Sequence, residues 1–172
     1  MSSEFDEAVE PTGPDGVTLR DYRPADAASL AAIYRQAVQV TAAAAYDATQ
    51  TAAWARFAED EVAFATTLGE GWVRVAEDAD GICGFAQVNL PGHLHLLYVA
   101  PRAGRRGVAT ALLEDCYFLA AAMGAAVMTV DASLVAQPML LKLGFVVKAE
   151  EQVEREGVSF RRFRMEKRLP QL

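Results

Sequence analysis

The sequence has few cysteines and no long apolar segment, and each shortage excludes a class of protein. Its 172 residues include two cysteines, Cys83 and Cys116, too few for a disulfide framework and without the spacing of a metal site. No apolar run is long enough to span a bilayer. The segment from Met1 to Glu7 is acidic, unlike the basic start of a signal peptide. We therefore expect a cytoplasmic protein with buried thiols and no metal.

The chain also has fewer basic than acidic residues. The chain has 16 Lys and Arg residues against 23 Asp and Glu, a net charge of −7, which argues against nucleic acid or an anionic membrane as a partner. The length favours one domain with a substantial core. Residues 1–15 are rich in acidic residues, Pro and Gly, and they predict a flexible tail before a single domain over residues 16–170.

Hydrophobic periodicity predicts a mixed α/β chain. A strand at 17–22 precedes a helix whose buried stripe is Leu30, Ile33, Tyr34, Ala37 and Val38. Two short helices follow, the first opened by a capping box of Asp47 and Gln50 and the second closing before Gly69. The remaining predicted elements are a hairpin (72–76 and 82–88), a strand (94–100), a helix from Val108 through Leu112, Cys116, Leu119 and Met123, a strand (126–130) and a last hairpin (145–153 and 158–166). Because a helix separates the strands at 94–100 and 126–130, these two should be parallel.

The most informative stretch runs from Leu94 to Glu114 as strand, basic glycine loop and helix. The first turn of a helix has unpaired backbone N–H groups and partial positive charge, so it attracts phosphate. Gly104 and Gly107 are expected to supply positive φ and a close approach, and three arginines add charge: Arg102, Arg105 and Arg106. Neither a Walker loop nor G-x-G-x-x-G is present, so the ligand should be another diphosphate, unless the loop is only a solvated basic turn.

The run Val99-x-Pro101, followed by Arg-Arg-Gly-Val-Ala-Thr-Ala-Leu-Leu over 105–113, resembles the coenzyme A loop of the GNAT acyltransferase superfamily. That loop reads Arg/Gln-x-x-Gly-x-Gly/Ala. Gly107 and Ala109 match its last two positions, and Gly104 stands where Arg or Gln belongs. The run 142–145 is similar to the end of the family's Tyr-x-Lys-x-Gly-Phe signature. The resemblance implies an α/β fold whose mostly antiparallel sheet contains a central parallel pair flanked by helices, and acetyl-CoA as co-substrate.

The resemblance also implies which residues hold coenzyme A. Backbone groups of Leu97 and Val99 would lie beside the pantetheine arm, and the amides from Arg105 to Thr110 would lie on the pyrophosphate. Ser133 stands where the family often has an Asn at the pantetheine. The predicted coenzyme-binding residues are Leu97, Val99, Arg105, Arg106, Gly107, Val108, Ala109, Thr110 and Ser133.

The predicted catalytic residues are the chain's two histidines. The family often has a Glu on the central strand as base, and His93 and His95 occupy those positions. Strand alternation predicts that His93, His95, Leu97 and Val99 point to one face. A neutral imidazole is a competent base near neutral pH. His95 is the favoured base; His93 is the alternative, or else a solvent-side residue beside the Pro91-Gly92 turn.

The family's usual general acid is missing, because Leu140 stands where many GNAT enzymes have a tyrosine. A thiol with a pKa near 8.5 leaves as thiolate at pH 7 at a cost of only about 2 kcal/mol, so this loss need not abolish catalysis. Tyr46 is a candidate phenol if the fold brings it near.

Tyr46 and Trp54 are the candidate acceptor-pocket residues, because helices in this region form a wall of that pocket in the family; ordinary core packing is the alternative. The predicted function is acetyl transfer to the primary amine of a small molecule, by direct attack in a ternary complex. A sensor that binds acyl-CoA without turnover, favoured by Leu140, and a protein or peptide N-acetyltransferase remain alternatives. The oligomeric state is open, with a homodimer among the options.

Overall fold

The computed structural model describes residues 13–171. Of the predicted tail, residues 1–12 therefore lie outside the described residues. The helices and strands are β1 (Thr18–Asp21), α1 (Ala27–Gln36), α2 (Ala48–Ala55), α3 (Glu61–Leu68), β2 (Trp72–Asp78), β3 (Gly81–Asn89), β4 (His93–Val99), α4 (Val108–Ala122), β5 (Val127–Ala132), α5 (Gln137–Lys142), β6 (Val146–Arg155) and β7 (Val158–Arg168). Short 3₁₀ and π turns connect several of them. Within residues 13–171, no helix combines the length and the apolar character needed to cross a membrane.

The strands form one seven-stranded sheet in the order β1-β2-β3-β4-β5-β7-β6. All neighbouring strands are antiparallel except β4 and β5, which are parallel. This arrangement confirms the predicted fold class and the predicted parallel pair. The insertion of β7 between β5 and β6 was not predicted, because strand order depends on contacts between distant segments.

Each face of the sheet packs on its own hydrophobic core. One core joins the sheet to α4 and α5 and contains Leu112, Cys116 and Met128; the other joins it to α1 and α3 and contains Tyr34 and Phe64. All five residues of the predicted stripe in the first helix are buried. Both thiols are also buried, as predicted, and burial raises the pKa of Cys116 to about 12.

The prediction that Met123 belongs to the buried face of α4 is wrong. The helix stops at Ala122, and Met123 is 47% exposed instead of buried. Gly124 follows with φ of 85°, a left-handed conformation that commonly terminates helices. Because the chain turns away there, Ala120 and Ala121 complete the buried face in place of Met123.

Of the two short helices, α2 begins at its predicted capping box and α3 ends before Gly69, as predicted. The backbone N–H of Gln50 donates to Asp47 Oδ1 at 2.8 Å, and the Asp47 N–H donates to Gln50 Oε1 at 2.9 Å, which completes the capping box. The Gln50 side-chain amide also donates to the Ser159 carbonyl at 3.0 Å. This bond ties the start of α2, the helix that carries Trp54, to β7.

The last hairpin has a tighter turn than the sequence suggested. Strand β6 extends to Arg155, and only Glu156 and Gly157 form the turn, with φ of 51° and 77°. Two successive positive φ values are typical of the two-residue turns that match the twist of antiparallel strands. Arg155 is therefore a strand residue, whose direction is set by the pairing of Arg155 with Val158.

Strand β4 contains a bulge at His95. Leu94 pairs with Val88 and Leu96 pairs with the adjacent Gln87, so His95 is an extra residue on β4. A bulge leaves its extra residue out of the regular ladder and changes the local direction of the side chains.

The bulge overturns the predicted alternation along β4. Leu94 packs into the same core as Leu97 and Val99, whereas Leu96 packs into the core on the opposite face. Strict alternation would have placed Leu94 and Leu96 together. The expectation that His93, His95, Leu97 and Val99 share one face is therefore wrong, since the extra residue at His95 reverses the pattern within the strand.

Candidate functional site

The sheet opens between β4 and β5. These strands pair only at His93 with Thr129 and Leu94 with Val130, and they then separate while β5 stays paired with β7 over its whole length. A cavity of about 260 Å³, here called the donor cavity, occupies the gap, and its walls include Leu97, Val99 and Ser133. Because β5 has moved away, the edge of β4 from His95 onward faces this cavity instead of a neighbouring strand.

The donor cavity extends to the loop that precedes α4, where Gly104 and Ala109 line it. Within the part of the chain that the structure describes, the backbone N–H groups from Arg105 to Thr110 donate to no protein acceptor. Gly107 caps the helix with φ of 81°, and α4 extends for 15 residues behind it. Successive free amides at the positive end of a long helix attract phosphate groups.

The loop differs from the prediction in two details. Gly104 has φ of −63°, so the positive φ values fall on Gly107 and on Arg105, at 59°. Arg102 and Arg106 donate to Asp78 Oδ2 at 2.8 and 3.0 Å, and these bonds hold the pKa of Asp78 well below its usual range. Asp78 at the end of β2 therefore anchors two of the three loop arginines, while Arg105 has no ion pair among residues 13–171.

A second cavity, of about 490 Å³ and here called the acceptor cavity, has a wall of aromatic side chains. Within this wall, Trp54 contacts two other aromatic residues. The Trp54 ring centroid is 5.4 Å from that of Tyr46, and Trp54 Nε1 donates to the Tyr98 hydroxyl at 3.2 Å. Both predicted acceptor residues, Tyr46 and Trp54, line this cavity. The aromatic wall consists of Tyr34, Tyr46, Trp54, Phe57, Tyr98 and Phe160.

The donor and acceptor cavities meet at the bulge of β4. Seven residues line both of them: Trp54, Leu94, His95, Leu96, Tyr98, Asp131 and Ser133. Loss of solvent in the cavity wall, with the nearby charges of His93 and Arg155, lowers the pKa of His95. Its imidazole is therefore neutral at pH 7, with a lone pair available at the junction.

His93 lies beside His95 but is held by β5. The two ring centroids are 6.3 Å apart, and His93 Nδ1 is 2.9 Å from Thr129 Oγ1. His93 Nε2 lies 3.9 Å from Asp131 Oδ2. His93 lines only the acceptor cavity, so of the two predicted bases His95 is the one that reaches both.

Tyr46 has a structural role in addition to lining the cavity. Its hydroxyl donates to the Arg161 carbonyl at 3.2 Å and accepts from the Leu134 N–H at 2.9 Å. The side chain is buried, and burial raises the pKa of the phenol. Because its proton is engaged by a carbonyl, Tyr46 joins β7 to the segment before α5 and is poorly placed to release a proton to a substrate.

We expect Tyr46→Phe to lower the free energy of unfolding by about 1 kcal/mol, because the Leu134 N–H loses its acceptor in a partly buried position. Thermal or denaturant unfolding measures this loss. The matched control is Tyr117→Phe, which removes an exposed bond to the Arg168 carbonyl and should cost less than about 0.5 kcal/mol. A change in the pH dependence of turnover in Tyr46→Phe would instead identify Tyr46 as an acid.

Ser133 and Leu140 complete the donor cavity. Ser133 Oγ accepts from the Ala136 N–H at 3.1 Å, which leaves the hydroxyl hydrogen free to turn toward the cavity. Leu140 is buried and offers no proton donor.

Sequence reasoning missed Tyr98, which resembles an ordinary strand residue, and Arg155, which it placed in a turn. Among residues 13–171, no group of three His, Cys, Asp or Glu side chains is arranged to hold a metal ion.

Comparisons with known proteins agree with this geometry. The model of the acetyltransferase (GNAT) domain matches residues 36–169. The chain is 33% identical over 151 residues to YafP of Escherichia coli K12, an uncharacterized N-acetyltransferase, covering 88% of this chain and 95% of YafP.

Solved structures show the same fold. A GCN5-related N-acetyltransferase from Rhodopseudomonas palustris is 36% identical, with a TM-score of 0.87 over 92% of this chain and 97% of its own. The PaiA N-acetyltransferase of Thermoplasma acidophilum, solved with coenzyme A, is 18% identical with a TM-score of 0.72, over 88% of this chain and 98% of its own; at that identity it shows the shared fold alone. Together with the domain match, these relationships confirm the resemblance seen in the loop sequence: the chain is an acyltransferase that belongs to the GNAT acetyltransferase family.

Proposed function

We propose that this enzyme transfers an acetyl group from acetyl-CoA to the primary amine of a small molecule, by direct attack while both substrates are bound. The observation that carries the proposal is the meeting of two cavities at His95. A donor in one cavity and an acceptor in the other would face each other across the bulge of β4. No covalent enzyme intermediate is needed for that reaction.

The donor cavity has the features that coenzyme A requires. The free amides from Arg105 to Thr110 would bind its diphosphate, with Arg105 adding positive charge at the surface. The open edge of β4 at Leu97 and Val99, together with Ser133, would hold the pantetheine arm. When bound there, acetyl-CoA supplies the activated acetyl group as a thioester.

The acceptor cavity supports a small, partly apolar amine. Its volume of about 490 Å³ falls within the range of roughly 300–1,000 Å³ found for small-molecule sites. The aromatic wall provides apolar surface for the body of the acceptor. At the junction, His95 supplies a neutral base for the amine.

Two side chains carry the proton chemistry. His95 accepts the proton that the amine nitrogen loses as it bonds to the acetyl carbon, a contribution typically worth about 10²- to 10⁴-fold in rate. Tyr98 is the candidate donor to the sulfur that departs, because it lines both cavities and its oxygen accepts from Trp54 Nε1 at 3.2 Å. Burial raises the pKa of Tyr98, so the hydroxyl stays protonated at neutral pH. Tyr98 thus takes the place of the tyrosine that Leu140 replaces.

Steady-state kinetics with acetyl-CoA and a panel of small primary amines, dipeptides and intact proteins tests the proposal. Release of the coenzyme thiol is a suitable readout, because the protein's own thiols, Cys83 and Cys116, are buried. We expect small amines to be acetylated and double-reciprocal plots to intersect, as a ternary complex requires.

Three results would contradict this function. Parallel double-reciprocal plots, with an acetylated protein detected by mass spectrometry in the absence of amine, would show a covalent mechanism. Acetylation of proteins or peptides in preference to every small amine would show a different acceptor class. Absence of any acetylated product would refute the proposal as a whole.

A further inference from the structure

The acceptor cavity is lined by more positive than negative side chains, although the protein is acidic. Its charged lining residues are three arginines, Arg155, Arg161 and Arg162, and one carboxylate, Asp131. The whole chain has a net charge of −7. Positive charge concentrated in a cleft of an acidic chain attracts anions to that cleft. The sign of the cavity therefore carries information about the acceptor.

Two of these arginines are neutralised by nearby carboxylates. Arg161 Nε donates to Glu150 Oε1 at 2.6 Å, and Arg162 Nε donates to Glu151 Oε2 at 3.0 Å. Arg162 also lies 3.7 Å from Asp131. Both guanidinium groups thus cross-link neighbouring strands and have carboxylate partners already.

Arg155 is different, because it has no ion pair or side-chain hydrogen bond among residues 13–171. The neighbouring Glu156 is occupied by an ion pair with Arg56. Val153 and Arg155 line the cavity while Glu154, between them, does not, as strand alternation requires. The cavity therefore has one guanidinium group whose charge is not balanced.

The positive charge of Arg155 affects the pKa values of groups that line the acceptor cavity. It opposes the effect of burial, which raises the pKa of Tyr34 and Tyr98, and it adds to the effect of lost solvent, which lowers the pKa of His95. Arg155 thus acts on both the aromatic wall and the base. The tight turn at Glu156-Gly157 fixes the end of β6 that carries it.

We infer that Arg155 binds an anionic group on the acceptor, so that the substrates are primary amines that also carry a carboxylate or a phosphonate. This inference rests on the proposed function and narrows its substrate class. The planar guanidinium can bind such a group with two parallel hydrogen bonds, which fixes orientation as well as position. With the anion on Arg155 and the apolar body against the aromatic wall, the amine is directed toward His95.

Matched pairs of acceptors and an arginine variant test the inference. The acids are phenylalanine and 4-(aminomethyl)benzoate, and their neutral counterparts are 2-phenylethylamine and benzylamine; 1-amino-2-phenylethylphosphonate distinguishes a phosphonate from a carboxylate. We expect the wild type to favour an anionic member over its neutral counterpart in kcat/KM. In Arg155→Gln, kcat/KM for that anionic amine should fall about 10- to 100-fold, as expected for a lost hydrogen bond to a charged group.

Two further variants sharpen the comparison. Arg155→Lys keeps the positive charge without the planar guanidinium group. Compared with Arg155→Gln, it should recover part of the preference for anionic amines. Arg164→Gln removes an exposed arginine of β7 that does not line the cavity, and it should retain the wild-type preference. Thermal unfolding of each variant in the absence of substrate separates a loss of binding from a loss of fold.

Three outcomes would each overturn the inference. The wild type could use the members of both pairs equally, or it could prefer the neutral members. Alternatively, its preference for the anionic members could survive in Arg155→Gln. The proposed function would stand in those cases, because some amine is still acetylated. Failure of the wild type to acetylate any amine would refute the proposed function, and the inference with it.

Discussion

Ala109→Asp is expected to weaken the binding of acetyl-CoA at least 100-fold without destabilising the protein. Ala109 lies in the first turn of α4 and lines the donor cavity. A carboxylate there would face the coenzyme diphosphate, and two unit charges 4 Å apart interact with about 4 kcal/mol near a protein surface. The same carboxylate suits the positive end of the helix, where an acidic residue contributes about 0.3–1 kcal/mol of stability. Binding and stability should therefore change in opposite directions.

Isothermal titration with acetyl-CoA measures the binding, and thermal unfolding without ligand measures the stability. Ala109→Asn is the matched control, since it has nearly the same shape and no charge; it should lose less than about tenfold in affinity. If Ala109→Asp binds acetyl-CoA as tightly as the wild type, the diphosphate does not lie on the amides from Arg105 to Thr110.

His95→Gln is expected to lower kcat/KM at pH 7 by about 10²- to 10⁴-fold, the usual contribution of a general base. The pKa of His95 lies below its ordinary value because the cavity wall removes solvent from the ring. The wild type should therefore keep its activity through neutral pH and lose it only in more acidic solution, where the imidazole is protonated. The variant should lack this acidic limb and recover at high pH, where the amine loses its proton unaided.

A pH–rate profile of kcat/KM, with acceptor and acetyl-CoA varied separately, makes this measurement. The control is His93→Gln, which removes the contact with Thr129 Oγ1 and leaves the junction of the cavities in place; it should lose less than about tenfold. Because the His95 side chain makes no hydrogen bond or ion pair among residues 13–171, neither fold nor melting temperature should change in His95→Gln. A variant profile that keeps the wild-type acidic limb would assign the base to another residue.

Local chemistry explains why the conformation of the loop before α4 was predictable. This loop combines a strand end, a glycine with positive φ and a helix N-terminus, all within the short run from Val99 to Thr110. Capping, turn formation and helix initiation depend on neighbours in the sequence, so the pattern is readable there. Of the binding residues expected from the loop, Ala109 lines the donor cavity, whereas Arg105, Arg106, Gly107, Val108 and Thr110 do not.

The acceptor side depends on residues that are distant in the sequence. Trp54 and Tyr98 are 44 residues apart in the sequence and share a hydrogen bond, and Arg155 lies on β6, an edge strand of the sheet. Arg155 reaches the cavity from β6, which joins the sheet through β7, and no local pattern indicates this strand order. Sequence reasoning therefore found Tyr46 and Trp54 as isolated candidates and missed the arginine beside them.

The sequence by itself determined the α/β class, the parallel pair, the buried thiols and the loop before α4, because periodicity, capping and glycine conformation are properties of short segments. Only the tertiary structure decided the bulge that separates Leu94 from Leu96, the exposure of Met123 and the pairing of Arg102 and Arg106 with Asp78. Those features depend on the register between strands and on contacts across the fold. The same long-range contacts decide which side chains meet at His95.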